Sequence, residues 1–225
     1  MKNLFIVLFL SISIGAVAQL KPLTIKDYSK WSRIVEPTIS NDGKWFAYGT
    51  RPNGGDDTLM VKNLDGEAIY KIKFASNPVF SENGKWMAYV IKPTREQEKK
   101  LKKDKKPVLN SAGLINLETG KKFTFERMDA MSFSNGSSYF ALLRKKPSDD
   151  NSKHDGKDLI LKKLDDGTLT NIGNVGSYAF NQKGTLLAYT VDADGMNGNG
   201  IYLLNTTTSE IKTLDTDSAK YDQLT

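Results

Sequence analysis

The chain has 225 residues, of which 39% are apolar and 10% aromatic, which is enough for one substantial folded domain and excludes a disordered polypeptide. It contains no cysteine, so thiol catalysis, disulfide bonds and a lipid-modified N-terminal cysteine are excluded. The net charge of +6 raises the question of nucleic-acid binding, and the answer depends on where the excess lies.

The first residues have the pattern of a secretory signal sequence. One lysine lies in residues 1–3, an apolar run occupies 4–14, and small residues at 16–18 precede Gln19. We therefore predict a signal peptide over 1–18, a periplasmic or secreted location, and no membrane contact after cleavage. An uncleaved membrane anchor is the alternative, and the run is shorter than the ~20 residues that span a bilayer.

A four-fold repeat follows a lead-in of residues 19–36, in which 26–34 has a helix-like pattern. Each copy has a large apolar residue, a polar turn with glycine, an aromatic residue or leucine, and an alanine eight residues after its start. The copies occupy residues 39–50, 80–91, 133–144 and 180–191, and the shared alanines are Ala47, Ala88, Ala141 and Ala188. This agreement predicts a repeat architecture over residues 37–225.

A β-hairpin pattern follows each copy. The four hairpins are predicted at residues 59–74, 114–125, 159–172 and 201–214. Each unit would then hold four short strands, and runs such as Trp45 to Tyr48 are apolar on both faces, as expected for a sheet between two other sheets. We predict an all-β fold, a β-propeller with four four-stranded blades. A two-layer sandwich is the alternative.

The spacing between units varies at one point only, in residues 51–57, 92–110 and 145–157, which predicts insertions on a single rim. The insertion at 92–110 is rich in lysine: residues 94–107 carry seven basic and three acidic residues, most of the charge excess. The segment has no aromatic residue to stack on a base, so we expect a solvated loop or short exposed helix and no nucleic-acid partner.

The repeat F-S-x-x-G-K-x-x-A-Y, as in FSENGKWMAY, resembles the propeller repeat of TolB-like periplasmic proteins and of the prolyl oligopeptidase family. The order of signal peptide, KDYSKWSRI, ISNDGKWFAY and a Lys-rich insertion resembles the N-terminal part of exported, dipeptidyl-peptidase-like members of that family. The third copy departs from the pattern, because Gly136 comes one place early and Ser137 stands where the other copies have glycine.

The resemblance implies a Ser-His-Asp triad on a C-terminal α/β-hydrolase domain, in cis, that acts on a peptide substrate. This sequence has no G-x-S-x-G motif and no Glu-Glu pair, and its only histidine, His154, lies in a polar stretch. We therefore predict no catalytic, cofactor-binding or metal-ligating residue here. The four blades would be part of a seven- or eight-bladed propeller; a complete four-bladed ring is the alternative.

Two further patterns are weak. Asp192 and Asp194 are spaced as in calcium loops, but Met196 and Leu203 stand where ligands belong, which favours a strand connection. SNDGKW, residues 40–45, is similar to the Asp-box of sialidases, yet a hairpin turn explains it. Two functions are then predicted: the chain belongs to a propeller that gates a serine peptidase, or it is a non-enzymatic TolB-like propeller that binds protein partners. A sugar-active propeller enzyme is a third, less favoured alternative.

Overall fold

A computed structural model of the protein describes residues 23–67, 69–147, 150–221 and 224. The predicted signal peptide, residues 1–18, lies outside these residues. The described chain is all-β, as predicted, with antiparallel strands in two sheets. The sheets are not closed into a ring, so the alternative of a complete four-bladed ring is not the architecture observed.

Within each sheet, strands pair in chain order. The first sheet has the order β1-β2-β3-β4, with strands Ser32–Ile39 (β1), Trp45–Pro52 (β2), Thr58–Asn63 (β3) and Ile69–Lys73 (β4). The second sheet runs from β5 to β14, with strands Ala75–Phe80 (β5), Trp86–Ile91 (β6), Asn110–Asn116 (β7), Lys122–Phe133 (β8), Tyr139–Arg144 (β9), Lys157–Lys163 (β10), Leu169–Phe180 (β11), Leu186–Val191 (β12), Gly200–Asn205 (β13) and Ile211–Thr216 (β14).

Helices are short in the described residues. Helix α1 spans Ile25–Tyr28 and helix α2 spans Arg95–Lys103, and single 3₁₀ turns lie at Asn135–Ser137 and Asp194–Met196. The helix predicted over residues 26–34 is shorter than expected, because residues 32–34 belong to β1 and pair with β2. Their sequence is followed by the β-branched Val35, and strand pairing outweighs the helix-like pattern there.

The hydrophobic core has three parts, each of which lies between two successive groups of strands. Core I joins the first sheet to β5–β7, core II lies between β6–β7 and β8–β10, and core III lies between β9–β11 and β12–β13. In β6, Met87 and Tyr89 face core I while Trp86 and Ala88 face core II. Strands with both faces buried contradict the two-layer sandwich and explain the doubly apolar runs in the sequence.

The repeated turn has the same hydrogen bonds in all four copies. The N–H of the residue that opens the second strand donates to a side-chain oxygen five residues earlier. The donor–acceptor pairs are Trp45–Ser40 at 3.0 Å, Trp86–Ser81 at 3.0 Å, Tyr139–Ser134 at 2.9 Å and Leu186–Asn181 at 3.0 Å. In the third copy Ser137 takes the left-handed conformation with φ 57°, so the turn is kept although its glycine is displaced.

The two ends of the strands carry different connections. At one end, the repeated turns lie beside the hairpin turns, as in the hydrogen bond from Leu117 N–H to the Lys85 carbonyl at 2.9 Å. The other end of the strands carries residues 51–57, 92–110, 145–147, 150–157 and 192–199, and we call this end the insertion rim. There Lys145 N–H donates to the carbonyl of Arg127 at 2.6 Å, and Asp192 N–H to that of Asn174 at 2.8 Å.

Candidate functional site

The Lys-rich insertion forms a capped helix on the insertion rim. Thr94 Oγ1 accepts the Gln97 N–H at 3.1 Å, and the Gln97 side chain accepts the Thr94 N–H at 2.9 Å, which together cap the start of α2. The Arg95 N–H donates to Asp56 Oδ1 at 2.8 Å, which docks the helix on the first inserted loop. No residue of α2 is buried, so the expected short exposed helix is confirmed.

A first charged group on this rim is centred on Arg51. Its guanidinium contacts the Asp57 carboxylate at 2.9–3.1 Å and lies 3.6 Å from Glu36. Lys92 Nζ lies 3.7 Å from the same Asp57. The hydrogen bond to Asp57 raises the pKa of Arg51. Because every charge here has an opposite partner, the group joins β1, β2 and the residues after β6 and leaves little charge for a ligand.

A second charged group forms a small cleft farther along the rim, which we call the Arg144 cleft. Its lining has five cations, two carboxylates and four other residues, and it encloses about 200 Å³. The lining residues are Arg127, Arg144, Lys145, Lys146, Lys157, Asp150, Asp158, Pro147, His154, Gly156 and Asn174. Strand pairing assembles it, because Arg144 lies opposite Met128 of β8 and opposite Asp158 of β10.

Most cationic side chains of the Arg144 cleft form ion pairs or hydrogen bonds with other groups of the protein. Lys157 and Lys145 lie 2.6 and 3.9 Å from the Asp129 carboxylate. Arg127 donates to the Lys145 carbonyl at 2.8 Å, and Lys146 donates to Ser152 Oγ at 2.6 Å. Arg144 is different: its Nε is shielded from solvent and has no hydrogen-bond partner among the described residues.

His154 lies in the Arg144 cleft but not in a catalytic arrangement. Its Nδ1 is 3.3 Å from Lys146 Nζ, and its carbonyl accepts a hydrogen bond from the same ammonium group. A general base must accept a proton from a hydroxyl or water, and a lysine ammonium is a donor with its own charge. In the described part of the chain, no hydroxyl group forms a hydrogen bond with the His154 ring. The prediction that this chain carries no catalytic residue stays a prediction.

The segment with the weak calcium-loop pattern has a structural role. Asp192 is buried, and its carboxylate accepts the Asp155 N–H at 2.8 Å and lies 3.4 Å from the Asn199 amide. Across the ranges that the structure describes, no three histidine, cysteine, aspartate or glutamate side chains are grouped as a metal site would need. Asp192 therefore anchors the connection between β12 and β13, as the strand-connection interpretation predicted.

The Asp-box-like segment is a hairpin turn. Asp42 Oδ1 accepts the Lys44 N–H at 3.2 Å and the Ser40 hydroxyl at 2.5 Å, and the latter bond lowers the pKa of Asp42. Gly43 has φ 71°, a conformation that glycine adopts without strain. The carboxylate stabilises the turn, as the hairpin-turn interpretation predicted.

No helix within residues 23–67, 69–147, 150–221 and 224 has the length and apolar character to cross a bilayer.

Solved structures with a similar fold are propellers. The β-propeller domain of the Trilobed protease from Pyrococcus furiosus matches with a TM-score of 0.53 and 14% identity, covering 84% of this chain and 58% of that one. Prolyl oligopeptidase B from Galerina marginata matches with a TM-score of 0.50 and 15% identity, covering 86% and 30%. TolB from Acinetobacter baumannii matches at 0.41 and 12% identity, covering 82% and 44%.

No protein-family model matches the sequence, and no curated protein matches it significantly. The chain spans less than two thirds of the length of the solved structures that it matches. The Trilobed protease propeller domain and prolyl oligopeptidase B agree with the resemblance found in the sequence. At 14–15% identity they establish the fold alone, and that fold is a β-propeller.

Proposed function

We propose that the chain is the N-terminal part of the propeller of an exported serine peptidase. In this proposal the propeller gates the access of peptides to a catalytic α/β-hydrolase domain that this chain does not contain. The observation that carries the proposal is an open stack of sheets with uncovered outer faces, matched over most of its length by a larger peptidase propeller domain.

The strands support a division into four blades. Three residues have left-handed φ at equivalent places: Phe74 (63°) between β4 and β5, Arg127 (58°) within β8 and Asn174 (57°) within β11. The pairing register shifts next to Arg127 and Asn174, so each twelve-residue strand serves two neighbouring units. We take the first half of β8 or β11 as the outer strand of one blade and the second half as the inner strand of the next.

The outer faces of the stack favour further blades. Three cores fill the spaces between four blades, so the first and last blades each have one face that no core covers. In the first blade, Phe46 and Tyr48 point away from core I and are only half-buried, with ring centroids 5.5 Å apart. In the last blade, Leu186 and Ala188 alternate with the core III residues in the same way. Further blades, seven or eight in total, would cover both faces.

The insertion rim supports the gating part of the proposal. Its loops hold the longest connections and the charged groups around Arg51 and Arg144, so they are suited to shape the entrance that a peptide must pass. The proposal places the protein in the periplasm or outside the cell after removal of residues 1–18. It includes a peptide substrate and the hydrolase domain in cis as partners, and it includes no nucleic acid, membrane or cofactor.

Expression of the gene together with its downstream sequence tests the proposal. We expect a G-x-S-x-G motif after this region and cleavage of a chromogenic dipeptide that a serine-directed inhibitor abolishes. Large folded proteins should be cleaved far more slowly than short peptides if the propeller excludes them. A stop codon directly after residue 225, with a stable monomer and no peptidase activity, would instead support the alternative of a non-enzymatic, TolB-like periplasmic propeller that binds protein partners.

A further inference from the structure

The Arg144 cleft holds one cationic side chain that has no partner among the described residues. Four of its five cations are engaged by Asp129, by carbonyl oxygens or by Ser152. The side chain of Arg144 has no ion pair or hydrogen bond with any described residue, and its Nε is shielded from solvent. A buried charged donor without an acceptor destabilises the folded chain, so an acceptor supplied by a water, an ion or a ligand would stabilise it.

We propose that Arg144 binds a carboxylate, and that the Arg144 cleft is a recognition site for the carboxylate of a peptide. A guanidinium group presents parallel N–H donors that match the two oxygens of a carboxylate. Neighbouring cations at Arg127 and Lys146 add a positive field without competing for the same position, since their hydrogen bonds go to protein oxygens. The cleft is smaller than the roughly 300–1,000 Å³ typical of drug-sized pockets, so it fits one end of a peptide or one side chain.

The mixed charge of the lining favours a peptide over a phosphate. Asp150 and Asp158 contribute two carboxylates to the lining beside the five cations. They repel a dianion more than a monoanion, and they can accept the N–H groups of a peptide backbone. The described lining has no phenylalanine, tyrosine or tryptophan side chain, and the one aromatic ring, that of His154, already contacts Lys146, so the cleft offers a nucleotide base little surface for stacking.

Binding of short peptides to the full chain tests this inference, and it requires no catalytic domain. Acetyl-Ala-Ala-Ala with a free carboxylate would be compared with its C-terminal amide by calorimetry or NMR at low ionic strength. Loss of a charge-assisted pair predicts at least about 10-fold weaker binding of the amide. Acetyl-Ala-Glu-Ala-amide then distinguishes a side-chain carboxylate from the C-terminal one.

Two substitutions identify the residue responsible. Arg144→Gln should weaken binding of the carboxylate peptide by about 10-fold or more, whereas the matched control Arg33→Gln, an exposed arginine of β1, should stay within about twofold. Arg144→Lys keeps the charge and loses the planar fork, so it should bind with intermediate affinity. Circular dichroism would show whether the Arg144→Gln variant folds. If it does not fold, the Arg144→Lys variant provides the test.

Several results would overturn the proposal. These are equal binding of the acid and amide peptides, wild-type affinity in the Arg144→Lys or Arg144→Gln variant, or no binding of any carboxylate peptide. Tighter binding of inorganic phosphate than of the peptides would also refute a peptide carboxylate as the ligand.

Discussion

Replacement of Ser81 by alanine should reveal how much the repeated turn contributes to stability. Ser81 is fully buried, and its Oγ accepts the Trp86 N–H at 3.0 Å and donates to Asn83 Oδ1 at 2.9 Å. The alanine variant leaves the backbone N–H of Trp86 without an acceptor at the start of β6. A buried donor left unpaired costs about 1–3 kcal/mol. The exposed side of the turn lets Asn83 recover its lost bond with water, so we add no further cost.

Urea unfolding of the full chain at low protein concentration, followed by tryptophan fluorescence, measures this loss. Ser138→Ala is the matched control, because Ser138 lies in the third copy of the turn, is exposed, and has no side-chain hydrogen bond recorded with the described residues. The control should change the free energy of unfolding by less than about 0.5 kcal/mol. If the two variants unfold alike, the side-chain cap contributes nothing, and backbone pairing alone fixes the turn.

Four further predictions follow from the same structure. Trp86→Ala should cost about 3–5 kcal/mol, because the indole is 8% exposed and lies in core II; free access of acrylamide to Trp86 would contradict this. Thr94→Ala removes the cap of α2 and should speed tryptic cleavage within residues 95–106, a result that unchanged digestion rates would refute. The hydrogen bond from the Thr168 N–H lowers the pKa of Asp166 to about 2. The ionised carboxylate therefore stabilises the folded chain fully above the unfolded pKa of ~3.9, and this stabilisation is lost as the pH falls through about 2. A carboxyl ¹³C titration midpoint near ~4 would disprove this prediction. The chain alone should self-associate through its uncovered outer faces, and light scattering that shows a stable monomer with one cooperative melt would count against the missing blades.

The repeat was readable from sequence because its determinants are local. Each copy carries its own turn residues, its own capping side chain and its own two-sided apolar strand, so the turns and hairpins follow from short stretches. The third copy illustrates the limit. Its displaced glycine left the geometry of the turn open, and Ser137 adopts the left-handed conformation because pairing of β8 with β9 holds both ends of the turn.

The junctions between units could not be predicted in the same way. Phe74, Arg127 and Asn174 all adopt positive φ, and neither phenylalanine nor arginine favours that conformation. Their geometry is imposed by the need to pass from one sheet to the next, which no short pattern records. The Arg144 cleft escaped prediction for a related reason. Residues 127–129, 144–146 and 157–158 meet only through the registers of β8, β9 and β10.

The strictly sequential pairing of the strands has a consequence for synthesis of the protein. Within each sheet, every described strand hydrogen-bonds to its neighbours along the chain, so the contacts are short in sequence and a growing polypeptide can add them in order. The first sheet is complete at Lys73, but core I also needs Leu117. At ~5–20 residues per second, the apolar face of that sheet stays uncovered for roughly 2–9 seconds while the next segment is translated. During that interval the exposed face is prone to aggregation and accessible to a chaperone.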